Sequence, residues 1–327
     1  MNHKPLMRDS KIQILPCLII GYARVEGILN LIASAASAGV PRIYVSLDGP
    51  TNGEVMLSQK DLLERIIELR ESDNIFVTVK VGQENQGVAV GVISAIEWFF
   101  SNEVEGIILE DDLEVKNDFF RFCTLGVYRY RDDQRIWMIC GSQYFPNLAG
   151  DSVIWTSIPQ IWGWASTKEK WVEMREAVWG LNRQSLITCS LNPTQSFWST
   201  GARRALQGII DTWDLPLVFS FFRHNKYAII PPVNLVRNRG FDTFASNTLE
   251  NKFPLGQEIS EFGETLVWED SVVASKTQSF ENNLYSTVYK ITFRHYFSSI
   301  TSLLFDWIRF PKARRKSPLV QRWKGLF

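Results

Sequence analysis

No stretch of this chain approaches the roughly 20 consecutive apolar residues needed to cross a bilayer. The apolar run at 15–20 is long enough only for a strand. The first ten residues lack the long apolar region of a signal peptide, so a cytoplasmic protein is expected. Cysteine is scarce: Cys17, Cys123, Cys140 and Cys189 are the four present, and none forms a C-x-x-C pair. Cys17 and Cys140 sit in apolar runs, which excludes a disulfide framework and a zinc site and leaves reduced, packed thiols. A charge excess is also missing, with 35 Lys+Arg against 35 Asp+Glu, which argues against a nucleic-acid-binding chain. No internal repeat or low-complexity segment is visible.

What is present is a core and an alternation. Hydrophobic residues make up 45% of 327, enough for one large domain or two smaller ones. Residues 14–20, 42–47, 75–81 and 106–109 read as strands. Between them, 25–38, 57–71 and 88–100 read as helices, the first ended by Gly39 and Pro41. Leu62, Leu63, Ile66 and Ile67 mark one face of the second helix. This βαβαβαβ order predicts an α/β fold with a mostly parallel central sheet and right-handed crossovers.

The most telling segment is Gly106-Ile107-Ile108-Leu109-Glu110-Asp111-Asp112-Leu113. Its apolar part reads as a strand buried on both faces. Three acids then emerge where that strand ends, which is where open α/β sheets bind ligands. The bland reading is an acidic turn; the sharper one is a hard divalent cation carrying a ligand's phosphates. Three further strand ends carry polar turn residues: Gly21-Tyr22-Ala23-Arg24, Asp48-Gly49-Pro50 and Glu84-Asn85-Gln86-Gly87. Four such ends in register outline one crevice.

These residues resemble the GT-A fold glycosyltransferases, specifically a bacterial group similar to the N-acetylglucosaminyltransferase I type, over about residues 17–248. The resemblance implies a metal-dependent inverting enzyme using a nucleotide sugar, a UDP-sugar first of all. Asp112 would ligate Mn²⁺ (or Mg²⁺); Glu110 and Asp111 would be nucleotide-sugar-binding, Asp111 near the ribose or the metal's waters. Gly21, Tyr22, Arg24 and Asp48 would border the nucleoside. Asn85, Gln86 and Gly87 would pass the ribose and diphosphate, and Asn117-Asp118-Phe119-Phe120 is also typical. Gln160-Ile161-Trp162-Gly163-Trp164-Ala165 resembles the family's acceptor-side loop, so Trp162, Gly163 and Trp164 are the acceptor-side candidates. Thr212-Trp213-Asp214 resembles the segment bearing the catalytic base. The stretch 233–241 resembles a late strand and turn. One departure follows it: where the group often has Ala-Thr-His-Thr, this chain has Ala245-Ser246-Asn247-Thr248, and Asn247 offers only a neutral amide.

The chemistry is coherent with that resemblance. Sugar transfer needs charge stabilised on a leaving diphosphate and a base for the acceptor hydroxyl. Asp214, beside Trp213 and Leu215-Pro216, is the first candidate base, and burial there would raise its pKa. The competing reading is a capping or turn residue; Asp211 is the second candidate base. His224 reads as structural. The tryptophans of 128–251 read mostly as core, some rings being able to stack on a sugar.

A GT-A domain is therefore expected over 1–280, with a donor half at about 11–115 and an acceptor half at about 116–280. The remainder, 281–327, is expected to be a helical basic C-terminal extension. From Lys290 onward, basic residues interleave with Tyr, Phe, Leu, Ile and Trp against the single acid Asp306. That pattern suits peripheral contact with an anionic inner-membrane surface near a glycan or lipid-linked acceptor. A docked helix with a solvated end and, more weakly, an RNA-binding tail are the alternatives. Two other functions compete: a sugar nucleotidyltransferase, whose Gly-rich basic loop Gly21-Tyr22-Ala23-Arg24-Val25-Glu26-Gly27 matches poorly, and a non-catalytic, membrane-associated sugar-nucleotide-binding protein.

Overall fold

The structure is a computed structural model that describes residues 12–73, 75–148, 150–182, 186, 193–240, 258–262 and 266–291. Its first half follows the expected alternation. The strands are β1 (Cys17–Gly21), β2 (Ile43–Leu47), β3 (Val77–Val81) and β4 (Glu105–Glu110). The helices between them are α1 (Val25–Ser37), α2 (Gly53–Asp73) and α3 (Val88–Asn102). The first strand begins after Pro16, not before it; Pro has no N–H for a ladder, and its carbonyl instead accepts from Ile107 N. The second half adds β5 (Leu113–Val115), α4 (Asn117–Tyr130), β6 (Ile136–Cys140), β7 (Ile154–Thr156), β8 (Trp164–Thr167) and α5 (Lys168–Trp179). It closes with α6 (Pro193–Leu206), α7 (Asp214–His224), β9 (Tyr227–Ile230), β10 (Val236–Asn238) and α8 (Ala274–Asn283).

Eight strands form one sheet in the order β3-β2-β1-β4-β8-β6-β9-β7. The pairs β1–β2, β2–β3, β1–β4 and β6–β9 are parallel, whereas β8 runs antiparallel to β4 and β6, and β7 antiparallel to β9. The expected mostly parallel α/β sheet is therefore present, with antiparallel strands in its later half. Strand β8 inserts between β4 and β6, so both halves of the chain share one sheet.

The chain winds outward from β1 through β2 to β3, then returns to place β4 on the other side of β1. That reversal is the topological switch point of an open sheet, where a crevice opens beyond the strand ends. Alternate strand residues point to opposite faces. Leu18, Ile20 and Ile108 pack under α3, α5 and α7, while Cys17, Ile19, Ile107 and Leu109 pack under α1 and α4. Among the described residues no helix is long and apolar enough to cross a membrane.

Core packing runs past residue 280. Phe280 and Leu284 are fully buried, and the π-helical turn Leu284–Val288 brings Tyr285 and Tyr289 against the same cluster. Residues 292–327, which hold nearly all of the basic extension, lie outside the described residues, as do 241–257 with Asn247.

Candidate active site

The sheet register brings the four polar strand ends together. Ile20 aligns with Glu110, Gly21 with Leu47, and Leu47 with Val81. Residues 22, 48, 82 and 111 therefore leave the sheet side by side. Glycines allow their loops to close up: a Cβ at Gly49 would collide with the backbone of Glu84, and one at Gly27 with the carbonyl of Asp111.

Asp111 knits the first loop to the acidic turn. Its Oδ2 accepts from Tyr22 N at 2.9 Å, and its Oδ1 accepts from Arg24 Nη1 at 3.0 Å. Burial pushes its pKa up, and the Arg24 charge and the Tyr22 N–H oppose that rise. Asp48 plays the matching part for the third loop. Its carboxylate accepts from the backbone N–H groups of Gln86 (2.9 and 3.1 Å), Gly87 (3.1 Å) and its neighbour Gly49 (2.9 Å). Asn85 completes the tie by donating to Gly49 O at 3.1 Å and accepting from Gly87 N at 3.2 Å. Gln59 of α2, which the sequence did not single out, donates to both Tyr22 O (2.9 Å) and Asp48 O (2.8 Å). Its 4% exposure, unusual for Gln, is the signal that marks it, and only the fold reveals it.

The Glu110-Asp111-Asp112 turn is gripped from its other side by a two-stranded sheet. Strand β10 pairs antiparallel with β5, Asn238 facing Leu113, and Arg239 N donates to Asp112 O at 2.7 Å. Gly240 then passes so close that a Cβ there would collide with Asp112 Oδ2. Asn238 Oδ1 accepts from Gly240 N at 2.6 Å and holds that approach. Glu110 feels the crowding. Burial raises its pKa well above the ordinary carboxylate range, and the charges of Asp112, Asp111 and Asp214 raise it further.

That last contribution comes from Asp214, about a hundred residues downstream, which is near enough for its charge to act on Glu110. Asp214 is the first residue of α7; its carboxylate accepts from Leu215 N at 2.9 Å and from the Thr212 hydroxyl. Asp214 therefore lies one residue past the N-cap Trp213, in the first turn of the helix, with its charge acting on Glu110. Burial pushes its pKa up, opposed by those hydrogen bonds. Tyr289 is its other neighbour; burial and then the Asp214 charge raise that phenol. Tyr289 packs edge-on against Trp198 at 4.9 Å, and sequence reasoning had assigned it to the extension.

Asp211 is occupied elsewhere. It accepts from Val88 N (2.8 Å) and Ala89 N (3.1 Å) and caps α3 from 123 residues away. The capping residue position itself is Gly87, at φ +80°, which has no side chain for the task.

On the acceptor side the three candidates separate. Trp162 is part-buried and meets Tyr144 edge-on at 5.7 Å. Gly163 takes φ +66° beneath Phe119 and Val236. Trp164 is a β8 residue, 1% exposed, with its ring 6.2 Å from Trp213; it supports the residue before Asp214 from within the core. Six of the eight tryptophans of 128–251 are buried: Trp137, Trp155, Trp164, Trp171, Trp198 and Trp213. His224, near Trp137, has its pKa lowered by burial and lies on the far end of α7 from Asp214.

Comparison with family models and with curated proteins finds no match. Among solved structures, the chain is similar to UDP-glucose pyrophosphorylase complexed with UDP-glucose, at 10% identity over 67% of this chain and 90% of that one, with TM-score 0.37. It is also similar to a putative glucose-1-phosphate thymidylyltransferase from Bacillus anthracis (9% identity, 49% and 74% covered, TM-score 0.31). A third is HddC from Yersinia pseudotuberculosis (11% identity, 48% and 78% covered, TM-score 0.29). TM-scores this low carry no assignment of function, which rests on the site's own residues.

Proposed function

We propose that this chain is a glycosyltransferase that moves a sugar from a nucleotide sugar, a UDP-sugar first of all, to an acceptor hydroxyl with inversion. The observation that carries this reading is the Glu110-Asp111-Asp112 turn at the switch point of the sheet, beside the other polar strand ends and with the Asp214 charge acting on Glu110. Burial first, and then the neighbouring charges of Asp112, Asp111 and Asp214, raise the Glu110 pKa, and acids gathered in this way favour a cation among them. Among the described residues no three His, Cys, Asp or Glu form a ready-made metal cage. A cation here would therefore have to be held by one or two carboxylates plus substrate phosphates, the mode of a small hard cation. Asp112 would be the direct ligand of Mn²⁺ or Mg²⁺. When bound, such an ion would stabilise the charge that develops on the departing diphosphate.

The chain's own residues supply the rest. The loops carrying Tyr22, Arg24, Asn85, Gln86 and Gly87 border the space for the nucleoside and diphosphate. Asp48, Gln59 and Asp111 fix those loops, so the site needs little reorganisation on binding. Asp214 takes the acceptor hydroxyl's proton. Burial raises its basicity toward the pH at which it works. Trp162 is the acceptor-side candidate, and Gly163, buried beneath Phe119 and Val236, shapes its loop. A bacterial surface-glycan or lipid-linked acceptor, cytoplasmic placement and peripheral contact of 292–327 with an anionic membrane belong to the same proposal.

The second reading is a sugar nucleotidyltransferase, the activity carried in the names of two of the solved structures above. Such an enzyme would use the basic residue of its first loop on a triphosphate, whereas Arg24 is paired with Asp111. One pair of assays separates the readings. UDP release from UDP-sugars with and without Mn²⁺ reports sugar transfer; pyrophosphate formed from UTP and a sugar 1-phosphate reports nucleotidyl transfer. The expected result is Mn²⁺-dependent UDP release, abolished by Asp112→Ala and reduced about 10²-fold or more in kcat by Asp214→Asn. Pyrophosphate formation without UDP release transfers the assignment to the second reading. Nucleotide-sugar binding with neither product leaves a binding protein.

A further inference from the structure

A second concave site lies on the outer surface, along the flank of α3. The cavity, of about 430 Å³, falls within the range of ligand sites, and Lys80, Ser94, Glu97, Trp98, Lys168 and Arg175 are among its lining residues. None of the crevice residues lines it. It extends from Lys80 on the edge strand β3 to Lys168, whose N–H bonds Val104 O at the start of β4, the end of that strand opposite Glu110.

Three cations line it against one carboxylate, and that carboxylate is already matched. Glu97 accepts from Trp171 Nε1 at 2.7 Å and from Arg175 Nη1 at 3.0 Å to both oxygens. Neither Lys80 nor Lys168 has a carboxylate partner among the described residues. Lys80 is part-buried; its Nζ lies 3.2 Å from Ser94 Oγ, 3.5 Å from Ser94 O and 5.8 Å from the Trp98 ring centroid. Burial lowers its pKa. Ser94 and the Trp98 ring hold this ammonium without neutralising it, so a ligand anion would be its first counter-charge. Beside it are the part-buried Trp98 ring and the Ser94 and Ser101 hydroxyls. The Ser101 hydroxyl is spent on Trp98 O (2.7 Å), while the Ser94 hydroxyl, which accepts from Lys80, keeps its proton to donate. An aromatic surface next to that hydroxyl and cations without a carboxylate partner suits a ligand with an apolar ring face, hydroxyls and one anionic group.

We propose that this cleft is a second ligand site that takes an anionic sugar, a saccharide ring bearing a carboxylate or a phosphate. The anion meets Lys80 and Lys168, and the ring covers Trp98. The proposal does not depend on the chemistry assigned to the crevice.

The test is titration of the full-length chain with glucuronate, glucose 1-phosphate, glucose and inorganic phosphate, read by the indole N–H resonances and by calorimetry. The same series is run on Lys80→Gln, Lys168→Gln and Asp112→Ala, with thermal melting as the folding check. Expected is binding of glucuronate and glucose 1-phosphate, at least tenfold weaker for glucose and for inorganic phosphate. Lys80→Gln or Lys168→Gln should weaken it tenfold or more, whereas Asp112→Ala leaves it unchanged. Equal binding of glucose, or of phosphate alone, overturns the proposal, because the charge or the ring is then unused. So does unchanged affinity in both lysine variants. Loss in Asp112→Ala alone also overturns it, by placing the sugar in the crevice. Lys168 is exposed, so its variant stays informative even if Lys80→Gln fails to fold. UDP binding, measured separately on each variant, reports on the crevice and keeps the two readings apart.

Discussion

Glu110 carries the electrostatic tension of the site. Its folded-state pKa is raised, so ionising it costs the folded state more than the unfolded chain. The stability associated with its proton is complete below the unfolded-state pKa and is lost as pH rises through the folded-state one. Glu110→Gln should therefore raise Tm at pH 7, and that gain should shrink as pH falls toward and below 4, where Glu becomes protonated in the unfolded chain as well. Melting curves of both proteins across that range decide it, and a gain independent of pH would mean packing, not charge. Gly240 tests the same turn sterically. A methyl there collides with the Asp112 carboxylate, so Gly240→Ala should weaken Mn²⁺-dependent nucleotide binding at least tenfold while leaving most of the fold intact. Calorimetry with UDP and Mn²⁺ reads this directly. Asp214 acts as a base only when ionised. Its raised pKa places the acid limb of the pH–rate profile above the ordinary Asp range.

At the level of elements, α3 depends on a residue from a distant loop. Val88 N and Ala89 N, two of the donors left unsatisfied at a helix start, are accepted by Asp211. Asp211→Ala should cost about 1 kcal/mol of stability, the usual scale for losing a cap. Because α3 follows directly from the 85–87 loop, nucleotide affinity should fall with it, while kcat at saturating donor changes little. Asp214→Asn should show the opposite split. If Asp211→Ala instead abolishes kcat with affinity intact, the base is Asp211.

Across the whole molecule, the C-terminal part of the described chain belongs to the body. Leu284 is fully buried, and Tyr285, Val288 and Tyr289 pack on the same cluster as α3, α5 and α7. Leu284→Ala should cost about 2–5 kcal/mol, the range for a buried Leu that leaves a cavity. Truncation after Asn283 should leave a chain that melts far lower or fails to fold. Truncation after Ile291 should keep the melting temperature and UDP binding, yet lose attachment to anionic vesicles at low salt if 292–327 is the membrane-facing part. Retained attachment after that cut would place the anchor elsewhere.

Local signals were enough for the first half of the chain. The βαβαβαβ order, the buried strand before Glu110, and the four polar strand ends follow from periodicity and turn residues, which act over a few positions. The crevice was legible for the same reason: parallel strands in one sheet send their carboxyl ends to one side. Sequence alone left three matters open, because each depends on contacts between distant segments. Strand β8 was hidden in an aromatic, irregular stretch, and only its pairing with β4 and β6 makes it a strand. Asp211 and Asp214 share charge, neighbourhood and turn context; tertiary packing sends one to the start of α3 and the other to the acids. Asp48, Gln59 and Asp111 carry side chains whose partners are backbone groups of other loops. Sequence determined where the polar strand ends would meet, because strand ends are local. Folding decided which carboxylates face it, because that depends on how helices from the second half pack onto the sheet of the first.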